Sequence, residues 1–144
     1  MKGKFLLYSQ LALIILLFYL GNFNQIFSNF VLSIFFTAGL VLGFWSIYNL
    51  GLDTFTPFPE PKKESKHVQT GAYKYVRHPM YTAVMMLSLV LLSSSATFIS
   101  AVIYLLLLYI LDSKATLEEE YLQKIHPSYK TYAQKTKKFI PFVY

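Results

Sequence analysis

The sequence predicts an all-α integral membrane protein of four transmembrane helices, the last two forming a C-terminal helical hairpin, followed by a cytoplasmic helical tail. Three observations predict it. Of the 144 residues, 55% are hydrophobic and 14% charged, well to the apolar side of soluble composition. No charged residue occurs between Lys4 and Asp53, nor from Pro79 to Leu111. The thirteen Lys and Arg, set against seven Asp and Glu, gather outside those stretches, so the net charge of +6 reads as membrane-edge charge and not as a nucleic-acid surface.

The first charge-free stretch holds two spans, because a helix rises about 1.5 Å per residue against a hydrocarbon core of about 30 Å. The polar residues Asn22, Asn24, Gln25, Ser28 and Asn29 mark the turn between a helix over residues 5–21 and one over residues 30–50. Lys2 and Lys4 ahead of the Phe5–Leu20 run resemble the start of a secretory signal. No small-residue cleavage site follows, so a retained helix is expected. Trp45 and Tyr48 fall at a membrane interface.

The second charge-free stretch is about 50 Å long as a helix, too long for one ordinary crossing and short for two. A tight turn near Ser93, Ser94 and Ser95 gives spans over residues 79–94 and 96–113; one long tilted helix is the alternative. Loop charge favours the turn. Lys2 and Lys4, then Lys62, Lys63, Lys66, Lys74 and Arg77, then the six lysines from Lys114 onward all fall on one side of a four-span protein with both termini in the cytoplasm.

Between the second and third spans, the cytoplasmic loop over residues 51–78 opens with Asp53, Pro57, Pro59 and Pro61, which favour an extended path along the surface. In the tail over residues 114–144, Leu117, Tyr121 and Ile125 form one helical stripe, His126 and Pro127 break it, and a second short helix carries Tyr129 and Tyr132. All 144 residues read as a single domain. Tyr104, Tyr109 and Phe98 read as lipid-facing aromatics, and Met80, Met85 and Met86 as span filler. The lysine-rich tail is expected to touch anionic membrane lipids.

The chain has no cysteine, which excludes disulfides, thiolate ligands and a thiol nucleophile. His67, His78 and His126 show no ligand spacing, so no metal site is expected. The informative segment is Gly71 to Tyr81, a turn feeding the third span with Pro79 at its first helical position. Arg77 and His78 sit where the helix dipole disfavours cations, which calls for a carboxylate nearby. A bound ligand or Glu118 and Glu119 would supply it; the other reading is that Lys74 and Arg77 are plain juxtamembrane anchors.

The run Gly71-Ala72-Tyr73-Lys74-Tyr75-Val76-Arg77-His78-Pro79-Met80-Tyr81 resembles the G-x-Y-x-x-V-R-H-P-x-Y signature of the isoprenylcysteine carboxyl methyltransferase and phospholipid methyltransferase superfamily. Glu118-Glu119, Leu122, Pro127, Tyr129, Tyr132 and Phe139-Ile140-Pro141 resemble that family's tail elements, with Ala72 and Ile125-His126 departing from the usual Pro and Phe-Gly. The resemblance implies a membrane methyltransferase with a cytoplasm-facing pocket for S-adenosylmethionine and a lipid-side opening for a lipophilic acceptor, methylated on carboxylate, thiol or amine. It implies cofactor contacts from Gly71, Tyr73, His78, Pro79, Tyr81 and Glu118, and catalytic roles for Arg77, Glu118 and Glu119. Sterol reductases share a similar R-H-x-x-Y element and would imply NADPH. A small non-catalytic accessory protein of the membrane is the third reading.

Overall fold

The computed structural model describes residues 2–60 and 67–144; Pro61, Lys62, Lys63 and Lys66 of the central loop lie outside the described residues. Among the described residues six α-helices follow in order: α1 (Lys2–Leu20), α2 (Phe23–Ser28), α3 (Phe30–Leu50), α4 (Pro79–Ser95), α5 (Phe98–Ile125) and α6 (Tyr129–Lys135). A 3-10 turn covers Gly71–Lys74, and the described residues contain no strand beyond one isolated bridge between Val76 and Lys137.

The polar break after α1 is itself helical. Asn22 caps α2 by accepting from the Gln25 amide, and Asn29 caps α3 by accepting from the amides of Val31 and Leu32. Two well-placed asparagines therefore turn the expected loop into a short helix between two bends. The Asn22 amide donates to Ser94 Oγ at 2.9 Å, which ties this corner to the end of α4.

Helix α4 stops at Ala96, whose φ of 38° is left-handed, and α5 starts at once under a capping box between Thr97 and Ser100. The sequence expects the last span to end at residue 113; the helix itself does not end there. Helix α5 runs unbroken through 28 residues to Ile125, about 42 Å. Nothing in Asp112 to Leu117 breaks a helix, and the buried stripe Leu107, Leu111, Lys114, Ala115 passes straight through the expected boundary. The break at His126 and Pro127 falls where the sequence puts it.

Helices α1, α3 and α5 are long and apolar enough to cross a membrane, whereas α4 is apolar but shorter, at 17 residues. Helix α1 packs on α5 and α3 on α4. At the second contact Gly39 meets Leu87, and a Cβ there would stand 2.9 Å from the leucine side chain, so the small residue sets how closely the helices approach. The core holds Leu17, Ile26, Tyr81, Val90, Leu91, Leu107 and Leu111. Outward, α1 and α3 expose Phe5, Tyr8, Ile15, Phe18, Phe35, Phe44 and Tyr48. Such a collar requires an apolar solvent. Phe98 and Tyr109 belong to it as expected, whereas Tyr104 packs against the core, its hydroxyl 3.4 Å from the Met85 carbonyl.

The C-terminal segment folds back over the start of α4. The amides of Arg77 and His78 donate to the carbonyls of Lys137 and Lys138 at 2.8 and 3.1 Å, and Thr82 Oγ1 donates to the Phe139 carbonyl at 2.8 Å. The start of α4 and the distant C-terminal segment are thus knitted into one unit.

Candidate active site

The site begins at the turn before α4. Gly71 has a φ of 60°, and the side chain of Asn49 from the end of α3 occupies the space a Cβ would need. Only glycine fits there without strain. The turn then buries Tyr73, whose carbonyl accepts from the Tyr132 hydroxyl at 2.5 Å. Burial, with Glu118 and Tyr132 nearby, pushes the Tyr73 phenol well above its ordinary range.

Arg77 and His78 converge on one carboxylate. Arg77 Nε donates to Glu119 Oε1 at 2.7 Å, and His78 Nε2 lies 2.9 Å from the same oxygen. Arg77 Nη1 also donates to the carbonyls of Ala133 and Thr136, at 3.0 and 2.5 Å. The guanidinium therefore joins α5, α6 and the C-terminal segment. Glu119 lies beyond the hydrocarbon-length part of α5. Burial alone would raise its pKa, but the hydrogen bonds from His78 and Arg77 outweigh that and hold the carboxyl down at about 2. The carboxylate that the dipole argument requires is thus in the chain itself.

Glu118 has a different environment. Tyr81 donates its hydroxyl to Glu118 Oε2 at 2.8 Å, and His78 Nδ1 stands 3.7 Å from that oxygen. The His78 and Tyr81 rings stack with an interplanar angle of 3°. Because His78 spends its side chain on the two glutamates, it leaves the N-terminus of α4 without a side-chain cap; Pro79 at the first helical position removes one of the amides that would need one.

A cavity opens beside these groups, lined by Tyr73, Arg77, His78, Tyr81, Glu118, Tyr129 and Tyr132, with Thr54, Thr56, Phe58 and His67 contributed by the central loop. Glu118 borders it and Glu119 lies behind, on the far side of Arg77. Of the residues singled out in the sequence, Gly71 and Pro79 shape backbone and are not on the cavity wall; the other six meet around it or directly behind it.

Two buried polar atoms on the wall, His67 Nε2 and the Tyr129 hydroxyl, have no hydrogen-bond partner among the described residues. Gln69 Nε2 stands 3.1 Å from His67 Nδ1; an amide nitrogen is a donor only, so the neutral ring carries its proton on the unpartnered Nε2. Burial, then His126, lowers the His67 pKa and keeps it neutral. Unsatisfied buried groups cost about 1 to 3 kcal/mol each. Their placement leaves two groups able to hydrogen-bond a polar ligand.

A second, almost wholly apolar groove runs between α4 and α5, lined by Met85, Met86, Leu89, Leu108 and Ile140, with Thr82 and Phe139 between it and His78. Sequence reasoning missed the loop residues Thr54, Thr56, Phe58 and His67, for which no periodicity exists to read. It also missed Lys114, although its position one helical turn before Glu118 put it on the same face.

A family model, that of the isoprenylcysteine carboxyl methyltransferase (ICMT) family, matches residues 31–124, from the first turn of α3 to the last turn of α5. No curated protein and no solved structure gives a significant match. The matched region covers well over half of the chain and contains the 71–81 turn, Glu118, Glu119 and the cavity lining apart from Tyr129 and Tyr132. With its apolar helices and this site, the chain belongs to the isoprenylcysteine carboxyl methyltransferase family, a family of membrane methyltransferases.

Proposed function

We propose that the protein transfers a methyl group from S-adenosylmethionine to a lipophilic acceptor, on carboxylate, thiol or amine, at the cytoplasmic face of a membrane. The observation that carries this reading is the single cavity bordered by Glu118, Tyr81, His78 and two unpartnered polar atoms, in a chain of this family. When bound, S-adenosylmethionine supplies a methyl group already made electrophilic by the sulfonium, so alignment and a deprotonated acceptor are the main requirements.

Each protein group then has a task. Glu118, oriented by Tyr81, presents negative charge to the cavity, and the aromatic faces of Tyr73 and Tyr81 suit a cation. His67 Nε2 and the Tyr129 hydroxyl offer hydrogen bonds to the polar ends of the ligand. Arg77, with His78 and Glu119, holds α6 in place, so that Tyr129 and Tyr132 wall the cavity. The groove between α4 and α5 suits the hydrocarbon of the acceptor.

The same reading includes four spans, with α4 and α5 as the C-terminal hairpin and both termini cytoplasmic. In its favour, residues 21–29 and 95–97 carry no charge, while the basic residues fall in the other segments. The chain has no cysteine of its own, so single cysteines report topology cleanly. Asn24→Cys and Ala96→Cys are expected to react with an impermeant maleimide from outside, and Lys74→Cys and Lys130→Cys only after permeabilisation.

Function is tested by calorimetry on the detergent-purified protein with S-adenosylmethionine and, separately, NADPH. Binding of S-adenosylmethionine alone, lost in His78→Ala, is expected. Binding of NADPH would replace this reading with a reductase, and binding of neither with an accessory protein.

A further inference from the structure

Lys114 is 2% exposed, yet among the described residues no carboxylate lies within ion-pair distance of it. Its Nζ donates to Gln10 Oε1 at 2.8 Å, across 104 residues of chain. Gln10 is itself buried, a polar side chain among the buried residues of α1. On its other side the ammonium stands 5.2 Å from the centroid of the Tyr81 ring, the same tyrosine whose hydroxyl donates to Glu118. Glu118 and Glu60 are the carboxylates whose fields reach it. A buried ammonium held by one neutral partner is costly to keep, and this one does not line the cavity.

Its charge, however, completes a balance. Arg77 and Glu119 cancel each other, which leaves Glu118 facing the cavity and Lys114 behind Tyr81. In methyl transfer a lone pair of the acceptor forms the new bond to the methyl carbon as the carbon–sulfur bond breaks, and both electrons of that bond stay on sulfur, which loses its positive charge and becomes a thioether. A cavity too negative would stabilise the charged reactant more than the transition state and slow the reaction.

We infer that Lys114, held in place by Gln10 of α1, is a positioning counter-charge that weakens the site's hold on the cationic sulfonium without altering its hold on the neutral thioether product. This gives α1 a role at the site although it lies outside the region that matches the family model. The inference rests on the proposed function.

The test compares the affinities of S-adenosylmethionine and S-adenosylhomocysteine for wild type, Lys114→Met, Lys114→Gln and Gln10→Glu by calorimetry. Removal of the charge is expected to tighten S-adenosylmethionine about tenfold while S-adenosylhomocysteine changes by less than about threefold. Gln10→Glu, which keeps the lysine and adds an opposing charge far from the cavity, is expected to move the ratio in the same direction and covers the case in which the lysine variants fail to fold. An unchanged ratio in Gln10→Glu and in the folded lysine variants would overturn the counter-charge while leaving the methyltransferase reading intact. If wild type binds neither compound, both fall together.

Discussion

Arg77 Nε and Glu119 Oε1 lie 2.7 Å apart across 42 residues of sequence, with both side chains largely buried. Breaking a buried pair from one side strands the other charge, at a cost of about 3 kcal/mol or more. Glu119→Gln is therefore expected to lower the melting temperature in detergent sharply and to abolish turnover. Arg77→Lys keeps the charge but cannot reach Glu119, Ala133 and Thr136 together; it should lose most of the activity and release the C-terminal segment to proteolysis. Equal stability of Arg77→Lys and wild type would rule out the clamp.

Tyr81 offers a gentler cut. Tyr81→Phe keeps the ring stacked on His78 and removes only the hydrogen bond to Glu118. Stability should fall by about 1 kcal/mol, and affinity for S-adenosylmethionine by about tenfold. An unaffected affinity would mean that Glu118 needs no orientation by this hydroxyl.

Acid should act through Glu119. Its pKa drops on folding from 4.5 to about 2, so the unfolded chain binds the proton more readily than the folded one. The stabilisation is complete above pH 4.5 and drains away as pH falls towards 2. Unfolding followed by tryptophan fluorescence should show a steeper acid transition for wild type than for Glu119→Gln over that window. Parallel curves would contradict the assignment.

Gly71→Ala should destabilise the turn by about 1 to 2 kcal/mol from the left-handed backbone alone, with more from the collision with Asn49. Adding Asn49→Ala should recover the second part and not the first. Melting temperatures of the two single variants and the double variant separate the contributions.

Much of this was legible in the sequence because its signals are local. The charge-free stretches fix α1, α3 and the apolar part of α4 and α5, Pro79 fixes where α4 begins, and the cationic pair before it demanded a carboxylate that Glu119 supplies. The division of labour between Glu118 and Glu119 was not legible, because adjacent helical residues point about 100° apart and only packing decides which one meets a cavity. His67 follows no period and is placed by contact with α6. That α5 runs on unbroken past residue 113 was not legible, because Asp112 and Lys114 mark a change of charge, whereas a helix continues through such a change at no cost if its hydrogen bonds are internal.

That continuity has a consequence for the lipid. Helix α5 carries hydrocarbon-facing turns at one end and Glu118 and Glu119 near the other, on one rigid rod. With α5 spanning as proposed, the height of these carboxylates above the acyl chains is set by bilayer thickness. A thicker membrane draws the carboxylates towards the headgroups, and a thinner one lifts them away or tilts the rod. Reconstitution in lipids of graded acyl length should give a rate that peaks at one thickness, making the membrane itself a determinant of how deep an acceptor must lie to be methylated.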